Sequence, residues 1–506
     1  MEEMNNNKRV RLNEDINTTF SIPTRTENVL SRISLHPCES LSDLTERRRS
    51  YSPYYAHHFF HDEEITLLDG YDTQIHIYYS CSWFDVFVEV DVTPINSKAK
   101  EQATLNETEK KSYIDSIVKQ LTTVPLEGGF CTPEEFRKRL EIPLSWIPGT
   151  SAEKFKVEIE NNECNEIDLR RIRLSEAENL TSSLRNESCP SELHPDVKNF
   201  QILHRRIEWF LHWYIESASS IDQEDRWTVW LPVIKKNQSF IILGLITTYL
   251  FFSIPKCRMR ISQVLVFPQY QGKGLGSLFM DVIYSAAIKD DEIMEITVED
   301  PALSMIQLRD ILTIEILLRN HVIKKDSLKP LKTQELLKIL QNPNGSVNIL
   351  RDVTMTCFPL LTWEEVKEKI HKYTKESPRQ IARLLVLISF FRYFPDPLPK
   401  IELNLDEEAR GLRIEQGKFN LFVQFSTHKK HSDKDEEPSF DKKSSDRSAI
   451  DKFFRIAVKK RLLADNSDSL LGSSQSEMVH NLEIAWNQAY TSFYATVKKI
   501  RKTYLS

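Results

Sequence analysis

The sequence predicts an α+β chain: a mixed N-terminal domain, a central domain with a mixed twisted sheet and flanking helices, and a helical C-terminal region. Three observations predict it. Short β-branched and aromatic runs such as "QIHIYYS" and "FDVFVEV" read as strands among helix-like pieces between about 30 and 200. One helix and three further apolar runs follow in close order between about 200 and 315. From 316 onward the periodicity is helical. The expected divisions are a disordered segment 1–28, a mixed α/β domain 29–200, a central domain 201–315 and a helical region 316–506 with a charged insert at 426–447.

Each part has its own markers. Residues 1–25 are polar and predicted disordered, and their Lys8-Arg9-Val10-Arg11 run reads as an import signal or as plain solvated charge. Ile207, Phe210, Leu211, Tyr214 and Ile215 recur at helical spacing, predicting a helix that ends near Ser219. "WTVWLPVI", "SFIILGLITTYLFFS" and "MRISQVLVF" are three strands. Farther on, Thr362 with Glu365 forms a capping box, and Ser377-Pro378-x-Gln380 supplies an N-cap, a proline at the first helical position and a second box. A final helix spans about 477–503.

Composition narrows the function. With 40% hydrophobic and 28% charged residues in 506, the chain has ample material for packed cores. A net charge of −6 excludes a nucleic-acid coat and favours a basic partner such as a cationic tail. Seven cysteines without a CxxC pair fit reduced thiols in the cytosol or nucleus. The longest apolar stretch, Phe240 to Ile254, is too short to span a bilayer.

Only 12 residues are glycine, yet Gly272, Gly274 and Gly276 fall within five positions. Behind them Leu275, Leu278, Phe279, Val282, Ile283, Ala286 and Ala287 mark one face of an amphipathic helix. Strand, glycine turn and helix together present unpaired amides and a positive dipole end to an anion. The spacing is neither G-x-G-x-x-G nor that of a P-loop. A glycine turn that serves packing alone is the competing reading. Instead, Gln271-x-x-Gly274-x-Gly276 is similar to the Q/R-x-x-G-x-G/A signature of the GNAT acetyltransferases, whose loop holds the pyrophosphate of acetyl-CoA.

Acetyl transfer to a lysine needs a base, because at neutral pH only about one lysine amine in a thousand is neutral. In "ITVEDPALS", Asp300 before Pro301 reads as the N-cap of the next helix, which leaves Glu299 as the better base candidate. A ping-pong route through Cys257, in "PKCRMR", lacks a visible histidine partner, so direct attack in a ternary complex is expected.

"RISQVLVFPQYQGKGLGSLFMDVIYSAA" and "ITVEDPALSMIQLRD", preceded by "FFHDEEI", "GGFCTPEEF" and "WYIESASSIDQEDRW", resemble the type B histone acetyltransferase catalytic subunit over roughly 55–315. The resemblance implies Glu299 as general base, with Asp300 and Glu216 as acidic neighbours. It implies acetyl-CoA as co-substrate, held by Val264, Leu265 and Val266, by Gln271, Gly272, Lys273, Gly274, Leu275, Gly276 and Ser277, and by Ser304. It implies contact between the substrate tail and Asp62, Glu63, Glu64, Tyr249, Leu250 and Phe251. It further implies histone 4 as substrate, a WD-repeat β-propeller chaperone as partner, and residence in nucleus and cytoplasm. No metal is expected: His57 and His61 have i, i+4 spacing but no further ligands nearby. Acetylation of another protein or small amine, and an inactive histone-binding scaffold, are the alternatives.

Overall fold

Strand pairing and helix caps account for the elements in chain order. The structure, a computed structural model, describes residues 22, 24–46, 49–95, 105–160, 163–173, 200–222, 224, 226–340, 349–395, 442–465 and 475–505. The basic run at 8–11 and the part of the charged insert at 426–441 lie outside these residues. The chain divides into two compact units: Met1–Phe252 with Met259–Val282, and Ser253–Arg258 with Ile283–Ser506.

In the first unit, β1 (Thr24–Asn28) pairs antiparallel with β3 (Glu64–Leu68), so residues 24–28 are a strand and not part of a disordered segment. Their polar composition hides this, because an edge strand alternating exposed and half-buried residues needs few apolar side chains. Next, β2 (Ile33–Cys38) runs parallel to β4 (Tyr71–Ser80), and β4 pairs antiparallel with β5 (Val86–Pro94). Helix α1 (Leu41–Glu46) follows β2; α2 (Glu107–Leu121) and α3 (Pro133–Leu140) each start with a complete capping box, at Asn106/Glu109 and Thr132/Glu135.

The larger sheet of this unit contains β6 (Thr150–Glu160), β7 (Glu163–Arg173), β8 (Trp227–Lys236), β10 (Gly244–Ser253) and β11 (Lys256–Val266), in the order β6-β7-β8-β10-β11. The short β9 (Ser239–Ile242) also pairs with β8. Helix α4 (Phe200–Tyr214) ends five residues before the expected Ser219. The stretch 239–253 is two strands, not one. Ile242 faces Val233 while Ile246 faces Trp230, so one extra residue is inserted between them, as in a β-bulge. A Cβ on Gly244 would lie 2.2 Å from the Leu265 carbonyl oxygen, so this break needs glycine for close backbone approach.

Helix α5 (Leu275–Lys289) begins in the first unit and ends in the second. The second unit continues with β12 (Ile293–Val298), α6 (Leu303–Arg319), α7 (Thr333–Leu340), α8 (Ile349–Met355), α9 (Trp363–Thr374), α10 (Pro378–Tyr393), α11 (Lys442–Asp465) and α12 (Gln475–Ile500). Its core gathers Leu317, Leu384, Leu387, Phe390, Phe454 and Val497, all fully buried. The Thr362/Glu365 box forms as expected. At Ser377 only half a box forms: its side chain accepts from the Gln380 amide, but the Gln380 side chain donates to Asp310 instead. Residues 442–447 are helical rather than linker. No described helix is long and apolar enough to cross a membrane.

Candidate active site

The glycine turn lies in the first unit, on a rigid base. After β11 the chain passes Phe267 and Tyr270, both fully buried; the Tyr270 hydroxyl donates to Glu39 at 2.9 Å. Gly272 has φ 75° and Gly274 has φ 78°, where a side chain is disfavoured by roughly 1–2 kcal/mol. A Cβ at either position would meet no atom within 4 Å. These two glycines therefore serve the dihedral and an open face, and the packing reading fails for them. The Gly274 carbonyl accepts from the Ser277 and Leu278 amides at 3.1 and 3.3 Å, which starts α5 at Leu275. First-turn amides such as those of Leu275 and Gly276 have no intrahelical acceptor and lie at the positive end of the dipole. Leu275, Phe279, Ile283 and Ala287 are buried as expected, whereas Leu278, Val282 and Ala286 are half-buried.

Two side chains of the expected signature are used within the protein. Gln271 donates to the Val266 carbonyl at 2.7 Å and accepts from the Tyr54 hydroxyl at 3.3 Å, which ties the turn back to its strand. The Lys273 ammonium donates to the Ile159 carbonyl of β6. On β11, Leu265 is buried between the half-buried Val264 and Val266. Just before them the Gln263 amide donates to the Thr247 hydroxyl at 3.2 Å, and the Gln263 side chain donates to the Ser219 carbonyl at 2.6 Å.

On the expected acceptor side, Tyr249 stacks edge-on against Trp227 and Phe251, and Arg260 lies over the Phe251 ring at 4.3 Å. The Tyr249 hydroxyl donates to Glu224 at 2.9 Å, and that carboxylate raises the phenol's pKa. Leu250 is half-buried. The acidic triplet is not a uniform surface. Asp62 and Glu64 are exposed, but Glu63 is buried and accepts from the Ala56 amide at 3.0 Å. Positive φ at both Asp62 and Glu63 turns the chain so that adjacent residues face differently, a fold feature that three consecutive acids do not reveal.

Glu216 falls just past α4 and is exposed. Its carbonyl accepts from Nε2 of both His57 and His58, at 3.0 and 2.9 Å, which fixes the protonated nitrogen of each ring. His61 instead pairs with Asp62 at 2.9 Å. The i, i+4 histidines are thus directed to different partners.

Helix α4 carries polar groups that periodicity did not single out. His204, Glu208 and His212 are all buried. Burial pushes Glu208 up to about 7, although the Ile221 amide donates to its carboxylate at 2.8 Å. Burial pushes His204 down to about 3 and His212 down to about 4. His212 also lines a cavity of about 120 Å³ with Trp209, Arg205, Glu127 and Ser220. No sequence signal marks these groups, because the helix is buried nearly all round.

In the second unit, Glu299 and Asp300 are exposed just beyond β12. Asp300 is not a cap. It has φ 29°, the helix begins at Leu303, and its N-cap is Ala302 with no side-chain cap bond. The left-handed residue delays the helix beyond the Asp-Pro pair. Ser304 is exposed in the first turn of α6.

These elements can be compared with known proteins. Residues 27–216 match the family model for the histone acetyl transferase HAT1 N-terminus. The chain is similar to the histone acetyltransferase type B catalytic subunits of Rattus norvegicus and Homo sapiens, at 27% and 26% identity over 298 residues. Each alignment covers 57% of this chain and 64% of the relative. That of Candida glabrata is 36% identical over 143 residues, 26% of this chain and 36% of the relative. The chain therefore spans just under two thirds of the rat and human relatives. The matched segment includes the acidic triplet, the His57/His58 pair and all of α4, and ends at Glu216. The glycine turn and Glu299 lie outside it, on elements that follow in the chain.

Proposed function

We propose that this chain is a histone lysine N-acetyltransferase that moves acetyl from acetyl-CoA to tail lysine ε-amines of histone 4. The observation that carries this reading is the turn Gln271–Ser277, with left-handed Gly272 and Gly274 open to free space before a helix N-terminus. Such a corner suits a diphosphate. The similarity to type B catalytic subunits supports the histone substrate.

In this reading, the amides of 272–277 hold the coenzyme diphosphate, and backbone groups of Val264–Val266 hold its pantetheine arm and polarise the thioester carbonyl. Glu299 takes the ammonium proton, directly or through water, with Asp300 and Glu216 as further acids. The freed amine attacks the thioester carbon, the C–S bond breaks, and coenzyme A leaves as a thiolate that is then protonated. Ser304 serves the leaving side. Asp62, Glu64, Tyr249, Leu250 and Phe251 meet the cationic tail, while the buried Glu63 accepts from the Ala56 amide and lies 3.8 Å from His57 Nδ1, which fixes the turn that carries its exposed neighbours. A thiol relay is disfavoured at the buried cysteines, whose burial pushes Cys131 and Cys357 up to about 11 and Cys38 to about 12. A WD-repeat β-propeller chaperone as partner, and work in nucleus and cytoplasm, complete the proposal.

Mass spectrometry of histone tails incubated with purified protein and acetyl-CoA tests it. Acetylated histone 4 lysines are expected. Preference for a protein N-terminus or a small amine in a peptide panel would replace the acceptor. Tail binding without any transfer would leave only a scaffold.

A further inference from the structure

The end of β12 is held by charged groups that the reaction itself does not use. Ile296, three residues before Glu299, has both backbone groups taken from outside any neighbouring strand. Its amide donates to the Lys375 carbonyl at 2.7 Å, in a single parallel bridge between Ile296 and Glu376. Its carbonyl accepts from Nη2 of Arg309 at 3.1 Å. The same Nη2 contacts Glu376, while Arg309 Nε donates to the other Glu376 oxygen at 3.1 Å.

Glu376 and its surroundings leave little freedom. Glu376, Tyr284 and Thr313 are fully buried, and Arg309 is nearly so. The Tyr284 hydroxyl donates to Glu376 Oε1 at 3.0 Å, and the Thr313 hydroxyl shares its one proton between that oxygen at 3.0 Å and the Arg309 carbonyl at 2.7 Å. Lys375, left-handed at the end of α9, also donates from its ammonium to the Ala287 and Asp290 carbonyls, at 2.9 and 2.7 Å. The turn between α9 and α10 is thereby bound to the end of α5, to α6 and to β12. A buried pair of this kind is weak evidence of stabilisation but strong evidence of a fixed geometry, since either charge alone would be strongly disfavoured there.

We infer that Arg309 and Glu376 are positioning residues for the acetyl transfer: they fix the Ile296 peptide group and so set where Glu299 emerges from β12. The inference rests on the reading of Glu299 as the base. It assigns the helical second unit a part in the chemistry beyond folding. A base displaced by about 1 Å is enough to slow a reaction on the order of a hundredfold.

Arg309→Lys in the full chain tests it, because lysine keeps the charge but cannot fork between Glu376 and the Ile296 carbonyl. Thr313→Val is a milder companion that removes one donor to Glu376, and Thr313→Ser restores that donor. Expected are faster amide exchange at 293–300, a kcat lower by on the order of tenfold or more, and a pH–rate profile displaced from the parent's. Acetyl-CoA affinity by calorimetry stays within about twofold, and Thr313→Ser recovers kcat. Unchanged exchange at 293–300 overturns the clamp. Raised exchange with parental kcat and pH profile overturns the positioning role. Arg309→Lys kinetics like the parent's, beside a Glu299→Gln loss, sink this inference alone; an undiminished Glu299→Gln rate sinks the base reading instead. If Arg309→Lys does not fold, the Thr313 pair decides on the same readouts.

Discussion

The Gln263 amide donates to the Thr247 hydroxyl at 3.2 Å, and the same hydroxyl donates to the Gln263 side-chain oxygen at 3.1 Å. A side chain thus takes the place of a backbone acceptor on β11, one residue before Val264. Both residues are buried, so water cannot replace the bond.

Thr247→Val keeps the shape and removes that hydroxyl. It leaves the Gln263 amide buried without its acceptor, a loss of roughly 1–3 kcal/mol. Urea denaturation is expected to show a lower midpoint with an unchanged slope. Parental stability would mean that β11 finds another acceptor.

Glu208 gives a prediction in pH. Its folded pKa, about 7, lies above the 4.5 of an unperturbed glutamate. The folded state therefore holds a proton that the unfolded chain has already lost. The contribution is fully present below pH about 4.5 and is lost as pH rises to about 7, by about 3 kcal/mol in all. His204 and His212, depressed by burial, act oppositely: they favour folding as pH rises toward 6.5. The test is thus a difference. Glu208→Gln keeps an acceptor for the Ile221 amide and is expected to gain stability relative to the parent across pH 4.5–7. Parallel stability curves would refute the assignment.

At Gly274 two substitutions separate backbone strain from ligand fit. Gly274→Ala meets no neighbour but must hold φ 78°, at a cost of roughly 1–2 kcal/mol in stability. Gly274→Glu carries a similar backbone cost, and adds bulk and negative charge where the diphosphate is proposed to sit. Calorimetry is expected to show acetyl-CoA affinity falling much further for glutamate than for alanine. Equal losses would place the ligand elsewhere.

What could be read in advance follows from locality. The glycine turn was legible because two left-handed positions within three residues strongly favour glycine, and the Thr362/Glu365 box because it closes within one helical turn. Glu376 was not legible, since its partner Arg309 is 67 positions away and nothing local marks either residue. Asp300 was misread for a subtler reason. Asp-Pro is a good cap pattern, yet a left-handed Asp300 postpones the helix to Leu303. Glu63 shows the same limit, because only the turn at 62–63 decides which of three acids is buried.

Glu299, exposed at the end of β12, can be tested by an isosteric change. Glu299→Gln removes the proposed base while leaving size nearly intact. Turnover on a histone 4 tail peptide is expected to fall by on the order of a hundredfold or more, within the usual contribution of a positioned base. Acetyl-CoA affinity is expected to stay at the parental value, because the turn proposed to hold the diphosphate, residues 271–277, is left unchanged. Raising the pH supplies neutral amine from solution and should recover part of the loss. A variant as fast as the parent at every pH would remove Glu299 from the chemistry and leave Glu216 or Asp300 to be tested in the same way.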